Sequence, residues 1–198
     1  MSSPYREMST LSRIVKRFYS REKEKLTDVI IFGSSARGKT KPADVDVLLL
    51  FSSRVDVTVA YRIRKDLEAA GIPAQVISKT YRELFSSAFL ARENILAEGR
   101  SIITGRTLAE SFGYASYALI KYSLKGLNKS DRMRFYYALY GRGRSGVLKE
   151  TGSVRFSESV LLVPIGNSDS IMEFLGDWKI ESRKSVVLLP AGNEKKLV

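Results

Sequence analysis

The sequence predicts an α/β protein, of the α+β kind, in which a mixed β-sheet with flanking helices precedes a small β-β-α-β unit. Two observations lead to this prediction. Short apolar runs that suit buried strands alternate with amphipathic helical patterns over the first half of the chain. A glycine–arginine run at 141–146 then interrupts the helical pattern, and short apolar runs dominate beyond it. The chain is therefore expected to fold as a sheet-based core followed by a smaller unit.

The predicted core begins with a helix over 4–25. Leu11, Val15 and Phe18 fall at helical spacing, and basic residues occupy most of the remaining surface. Residues 29–32 follow as a short strand, because all four are apolar and the run is too short for a helix. The apolar stripe of the helix is expected to pack on the sheet.

The next strand of the core, predicted over 44–51, should lie centrally. After its first residues this run is too apolar to face solvent on either side. The remaining elements of the core alternate between helix and strand: helix 55–70, strand 74–77, helix 80–97 and strand 101–104.

Two further helices are predicted before the glycine–arginine run. The first covers 108–124 and ends at Gly126. The second opens at Asn128, which suits an N-cap, with Asp131 three positions on, and it continues to Tyr140. Both helices are expected to form a helical region between the core and the last unit.

Beyond the glycine–arginine run, the pattern predicts the small β-β-α-β unit. Residues 147–150 and 160–165 suit a hairpin, a capping box at 170–173 suits the start of a short helix, and 186–189 suit a strand closed by Pro190. The sequence thus predicts four regions: a core domain over 1–105, a helical linker region over 106–146, a small α+β domain over 147–190 and a flexible tail over 191–198.

Composition limits the chemistry and suggests a partner. The chain has 33 Lys and Arg against 21 Asp and Glu, for a formal charge of +12, which favours nucleic acid over a merely solvated basic face. It contains no cysteine and no histidine, so disulfides, thiolate zinc sites and Cys or His catalysts are excluded. No apolar run is long enough to cross a bilayer, and the first residues turn polar at once. A basic cytoplasmic protein without a membrane partner is expected.

The most informative stretch is a glycine–serine turn followed by two aspartates. Gly33 and Ser34 come directly after a predicted strand, where free backbone N–H groups can hold phosphate oxygens. Asp44 and Asp46 stand at i and i+2 of the next strand, so they project from the same face and can share divalent cations. The pattern predicts a site for a nucleoside triphosphate and a metal.

These residues resemble the DNA polymerase β-like nucleotidyltransferase superfamily, and most closely its minimal nucleotidyltransferase branch. The family pattern is Gly-Ser, often followed by x-Ala-Arg-Gly, and then Asp-apolar-Asp-apolar on a buried strand. The matching residues are Gly33, Ser34, Ala36, Arg37, Gly38, Asp44 and Asp46. The resemblance extends over about residues 27–104 and makes 1–105 a nucleotidyltransferase-like domain. It implies transfer of a nucleoside monophosphate from an NTP by a two-metal Mg²⁺ site, with Asp44 and Asp46 as catalytic metal ligands.

The nucleotide-binding residues are expected in and just after the glycine–serine turn. Gly33 and Ser34 are expected to hold the triphosphate through the turn. Lys39, in the polar connection beside the turn, is expected to lie near the triphosphate. Arg37 is expected to contact phosphate or an acidic partner, although an arginine on a solvated turn is equally common.

One position departs from the family pattern. The family normally adds a third carboxylate from a neighbouring strand, where this sequence has Gln75. Glutamine can offer a carbonyl oxygen to a metal but brings no charge and cannot act as a base. Two interpretations follow: the site binds a nucleotide–magnesium complex without efficient transfer, or another carboxylate, with Glu83 and Glu93 as candidates nearby in sequence, completes it. The enzyme class is accordingly a nucleotidyltransferase whose catalysis is left open.

The helix predicted after Asn128 is both aromatic and basic. Its arginines and those of the following run are expected to bind nucleic acid: Arg132, Arg134, Arg142 and Arg144. Its other large side chains recur at helical spacing, which favours packing in the core over base stacking: Met133, Tyr136, Tyr137 and Tyr140.

Three functions remain as hypotheses. The first is a Mg²⁺-dependent nucleotidyltransferase that acts on a nucleic acid or a protein acceptor. The second is an inactive nucleotidyltransferase-fold module that binds nucleic acid. The third, from the resemblance to small nucleotidyltransferase antitoxins, is a partner of a helical protein.

Overall fold

The computed structural model describes residues 4–36 and 44–192, and it divides the chain into two compact units between Ser111 and Phe112. Each unit has its own four-stranded sheet. The predicted domain boundaries at 105, 146 and 190 stay a prediction. No helix of the described residues is long and apolar enough to cross a membrane.

The first unit is built on a mixed sheet with the strand order β3-β2-β1-β4. Its strands are β1 (Leu26–Phe32), β2 (Val45–Phe51), β3 (Ala74–Thr80) and β4 (Arg100–Ser101). Its helices are α1 (Pro4–Glu22), α2 (Gly33–Ala36), α3 (Val57–Ala69), α4 (Tyr81–Leu84), α5 (Arg92–Glu98) and α6 (Leu108–Ser111). Strand β2 pairs parallel with β3 and antiparallel with β1, and β1 pairs antiparallel with β4. The predicted mixed sheet with flanking helices is confirmed.

Helices cover both faces of strand β2. Val47, Leu49 and Phe51 pack in one apolar cluster with α1 and α3, whereas Leu48 and Leu50 pack in another with residues of α4, α5 and α6. All five side chains are 0% exposed. Burial of each such side chain contributes about 1.5–3 kcal/mol, so this strand is a main source of stability in the unit. The prediction of a buried central strand is confirmed.

One predicted helix of the core is interrupted. The helix expected over 80–97 forms only at its ends, as α4 and α5. Helix α4 begins with a capping box in which the Glu83 side chain accepts from the Thr80 N–H. Just beyond it, the Ser86 hydroxyl accepts the N–H of Ala88, which offers the backbone an alternative to helical pairing. Strand β4 is also shorter than the predicted strand over 101–104.

The second unit is an antiparallel sheet with the strand order β6-β7-β5-β8. Its elements in chain order are β5 (Tyr114–Ser123), α7 (Lys129–Tyr140), α8 (Val147–Glu150), β6 (Val154–Ser157), β7 (Val160–Pro164), α9 (Ser168–Asp177) and β8 (Glu181–Pro190). Strand β5 pairs antiparallel with β7 and with β8, and β6 pairs antiparallel with β7. With the short α8 set aside, this is the β-α-β-β-α-β arrangement of ferredoxin-like folds. The predicted β-β-α-β order is present as β6-β7-α9-β8, and β5 and α7 complete it.

The helix predicted over 108–124 is wrong for most of its length. Helix α6 ends at Ser111, and the chain turns at Gly113 with a φ of +78°. The following ten residues form β5, in which Ala118, Ile120 and Tyr122 are buried at alternate positions. This spacing of two is the strand period, and packing on α7 and α9 selects it over the helical pattern.

Two local predictions in the last part of the chain are also wrong. Residues 147–150 form the single-turn helix α8 instead of a strand, and the Thr151 hydroxyl closes this turn by donating to the carbonyl of Val147. Helix α9 starts at Ser168, so the predicted capping box at 170–173 lies inside it. The hairpin is instead made by β6 and β7.

Phe135 on α7 lies at the centre of the second core and should be the most costly truncation there. Its ring contacts Tyr122, Phe174 and Trp178 at centroid distances of 5.9, 5.7 and 5.7 Å. Phe135→Ala is expected to lower the free energy of unfolding by about 3–5 kcal/mol, because it removes a fully buried ring and leaves a cavity. Urea unfolding followed by Trp178 fluorescence measures this loss.

The matched control is Met133→Ala, on the exposed side of the same helix. It should change the free energy of unfolding by no more than about 0.5 kcal/mol. Equal losses in the two variants would contradict the orientation of α7.

Candidate nucleotide and metal site

Gly33 brings the turn after β1 against the carboxylate of Asp46. Phe32, the last residue of β1, is the Cα partner of Asp46 on β2. The chain then turns at Gly33 with a φ of +68°, and a Cβ placed there would collide with Oδ2 of Asp46. Both the backbone angle and the close approach therefore require glycine. Ser34 follows in the short helix α2.

The two predicted aspartates lie close enough to affect each other. Asp46 is half-buried as the second residue of β2, and Asp44 is exposed just before the strand. Burial raises the pKa of Asp46, and the negative charge of Asp44 raises it further. The pair concentrates negative charge and oxygen donors at one end of β2, which is the donor set that Mg²⁺ prefers.

Gln75 lies directly beside this pair. In the parallel ladder of β2 and β3, Gln75 is the Cα partner of Asp46. Partners in register point to the same face of a sheet, so the side chain of Gln75 shares the face of Asp46. The position is exposed. A neutral amide therefore stands next to the aspartates, on the strand where the resemblance implies a third carboxylate.

The two suggested substitute carboxylates, Glu83 and Glu93, lie on α4 and α5. The Glu83 side chain accepts hydrogen bonds from the backbone N–H and the hydroxyl of Thr80, which pairs with Phe51 at the far end of the strand. Glu93 is 81% exposed on α5 and forms a 3.7 Å ion pair with Arg92. Within residues 4–36 and 44–192, no three carboxylates are grouped so as to hold a metal.

The other predicted site residues fall into two groups. Arg37 and Lys39 lie outside the described residues, and their contacts with phosphate stay a prediction. The arginines predicted to bind nucleic acid belong to the second unit and are all exposed: Arg132, Arg134, Arg142 and Arg144.

Sequence reasoning missed one half-buried carboxylate in the first unit, Asp28. It lies on β1 opposite Leu50, at the other end of the sheet from Asp46. Its Oδ1 accepts from the Ser101 hydroxyl and the Val29 N–H, each at 2.7 Å. The Ser101 oxygen in turn accepts from two N–H groups of the following turn, so Asp28 orders the end of β4. The sequence signal for this residue was a single aspartate directly before the apolar run 29–32.

The first unit thus combines a mixed sheet, a glycine turn and two aspartates at one end of β2. Residues 9–101 match the family described as nucleotidyltransferase domain, and this part of the chain belongs to that family. The family prediction made from Gly33, Asp44 and Asp46 is thereby confirmed. No curated protein shows significant similarity to the sequence.

Several solved toxin–antitoxin complexes contain chains with a partly similar fold. A MntA–HepT structure shares 13% identity over 52% of this chain and 78% of that chain, with a TM-score of 0.36. A toxin–antitoxin structure with AMP-PNP shares 16% identity over 51% and 78%, with a TM-score of 0.39. A complex of the tri-AMPylated Shewanella oneidensis HEPN toxin with MNT antitoxin shares 15% over 52% and 77%, with a TM-score of 0.37.

Two glycines with positive φ allow a controlled test of the turn. Gly33→Ala forces a side chain into a left-handed φ and against Asp46, whereas Gly71→Ala, with a φ of +72°, meets nothing within 4 Å. We expect Gly71→Ala to lower the free energy of unfolding by about 1–2 kcal/mol from the backbone alone. Gly33→Ala should lose more, and urea unfolding measures both.

Calorimetric titration with Mg²⁺ and ATP separates the local effect from general destabilisation. Only Gly33→Ala should weaken binding, because only there does the new methyl group displace Asp46. Equal binding by the two variants would contradict the role of this turn.

Asp28 provides a pH-dependent prediction. Burial raises its pKa, and the hydrogen bonds from Ser101 and Val29 only partly oppose this effect. The ionised form therefore costs stability above the folded-state pKa, and this cost disappears below the ordinary pKa of a carboxyl. Asp28→Asn keeps an oxygen acceptor for Ser101, so its Tm should exceed that of the wild type at pH 7 and match it near pH 3. A lower Tm at pH 7 would show that the charge itself stabilises the fold.

Proposed function

We propose that the first unit is a Mg²⁺-dependent nucleotidyltransferase that moves a nucleoside monophosphate from an NTP to an acceptor hydroxyl. The observation that supports this most strongly is the meeting of the Gly33 turn with Asp46, with Asp44 two residues away. Free backbone N–H groups in a turn suit phosphate oxygens, and paired carboxylates suit Mg²⁺. The two features together therefore suit a triphosphate bound with Mg²⁺.

In this proposal the backbone of Gly33 and Ser34 binds phosphate oxygens, and Asp44 and Asp46 hold the metal. When bound, Mg²⁺ would neutralise the charge of the triphosphate and of the leaving pyrophosphate. The repulsion that raises the pKa of Asp46 is relieved by a cation, so the aspartates favour metal over an empty site. Rigid support comes from β2, whose following residues are completely buried.

Gln75 is proposed to make this transfer slow. Its amide oxygen can contact a metal, but a neutral amide cannot take the proton from an attacking hydroxyl. Because Gln75 is in register with Asp46, an aspartate there would place a third carboxylate on the same face. Replacing Gln75 with aspartate therefore tests the proposal by an increase in nucleotidyl transfer.

The first experiment is calorimetric titration of Mg²⁺ and each NTP into the wild-type protein and into Asp44→Asn/Asp46→Asn. The wild type should bind a triphosphate only with Mg²⁺, and the double variant should bind at least ten-fold more weakly. Asp66→Asn, on α3, is the matched control and should bind like the wild type. If folded wild-type protein binds no triphosphate, the transferase proposal is wrong.

Labelled nucleotide transfer then identifies the acceptor class. RNA, DNA and a co-expressed helical protein are offered separately, and incorporation with pyrophosphate release identifies the acceptor. Gln75→Asp should increase the rate of transfer at least ten-fold, whereas Gln75→Asn, which carries an amide without charge, should not. If both the wild type and Gln75→Asp bind a triphosphate but incorporate no label, the inactive binding module would be favoured.

A further inference from the structure

Helix α7 is apolar on two opposite sides. Phe135 and Leu139 are completely buried, but the other large side chains of the helix are 37–48% exposed: Met133, Tyr136, Tyr137 and Tyr140. At 3.6 residues per turn these four lie together as a stripe on the side opposite Phe135 and Leu139. Tyr136 and Tyr140 stand at the margin of the core, since they contact the Phe135 ring and the Tyr122 hydroxyl. The prediction that they pack in the core holds only in part, because each of the four side chains keeps more than a third of its surface exposed to solvent.

Neighbouring side chains hold the rings of this stripe in place. Tyr136 and Tyr140 stack at a centroid distance of 5.9 Å. Tyr140 also forms a hydrogen bond with Tyr122, whose pKa is raised mainly by burial. The guanidinium of Arg142 lies 4.6 Å from the ring centroid of Tyr137. Ordered rings lose little conformational freedom when a flat ligand stacks on them.

The charge around the stripe selects a polyanion. Five exposed cations occupy 129–144: Lys129, Arg132, Arg134, Arg142 and Arg144. The single carboxylate of this segment, Asp131, accepts from its N-cap Asn128 and pairs with Arg134 at 3.3 Å. The surface thus combines π faces with nearly uncompensated positive charge.

We infer that this face of α7, with the adjoining glycine–arginine loop, binds single-stranded nucleic acid. Unpaired bases stack on the tyrosine rings, and the arginines contact the phosphates that connect them. A duplex hides its base faces and would meet only the cations, so single strands are preferred. A protein partner would need a strongly acidic surface to match this charge. The inference concerns the second unit alone and does not depend on nucleotidyl transfer.

The test is fluorescence anisotropy of a labelled twelve-nucleotide oligouridylate with the full chain, without NTP or Mg²⁺. Tyr137→Ala should weaken binding about ten-fold, because one stacking platform for a base is removed. Tyr137→Phe keeps the ring and should bind like the wild type. The emission of Trp178, which contacts Phe135 in the core below, checks that the unit remains folded.

The matched control for ring and charge is Tyr61→Ala on α3. Tyr61 is 58% exposed and has the amino group of Lys65 5.8 Å from its ring centroid, so it forms a similar cation–π pair outside the proposed surface. Tyr61→Ala should leave binding unchanged. Equal effects at Tyr61 and Tyr137 would overturn the inference.

Salt dependence and competing oligonucleotides complete the test. Arg142→Gln and Arg144→Gln should each weaken binding and lower the salt slope by about 0.7 for each phosphate that the variant no longer neutralises. Oligodeoxyuridylate in place of oligouridylate tells whether the sugar matters, and binding of either single strand supports stacking. Tighter binding of a twelve-base-pair duplex, or binding only by an acidic protein, would overturn the proposal.

Discussion

The burial of strand β2 on both faces is the constraint on which the candidate site depends. Its last five residues are inaccessible to solvent, whereas Asp44 and Asp46 stand at its start. Charged groups are stable only where the apolar layer ends, so the packing of the strand fixes the depth of the aspartates. The same pairing that buries β2 aligns Phe32 with Asp46 and delivers the Gly33 turn to the carboxylate. Core packing and site geometry thus have one origin.

The first unit could be predicted well because its signals were local. An apolar run too short for a helix and two aspartates at i and i+2 each specify one element. The segment 108–124 was different, because its apolar residues suit a helix and a strand alike. Whether it forms a helix or a strand is decided by partners distant in sequence, since β5 pairs with β7 and β8. Non-local pairing of this kind decides the structure without leaving a signal in the paired strand itself.

Helix α7 shows why periodicity alone does not tell which side of a helix faces the core. Two apolar stripes occur on this helix, and the pattern gave the longer one, with Tyr136 and Tyr140, to the core. The structure buries the shorter stripe of Phe135 and Leu139, because Phe174 and Trp178 surround Phe135. Tyrosine tolerates the exposed side, since its ring is amphipathic. The second apolar side of this helix is therefore not required for packing of the core.

The charge at the end of β2 has a consequence for what the site can hold. Two carboxylates balance one divalent cation, and the neutral Gln75 adds a ligand without adding charge. A second divalent cation would therefore have to be balanced chiefly by the phosphates of the nucleotide itself. In the proposed function, metal and nucleotide would then bind with strong mutual dependence, and the loss of pyrophosphate would weaken the hold on the metals. A third carboxylate would uncouple the two, since metal could then remain without nucleotide. In the proposed function, the neutral Gln75 would thus make metal binding depend on the bound triphosphate.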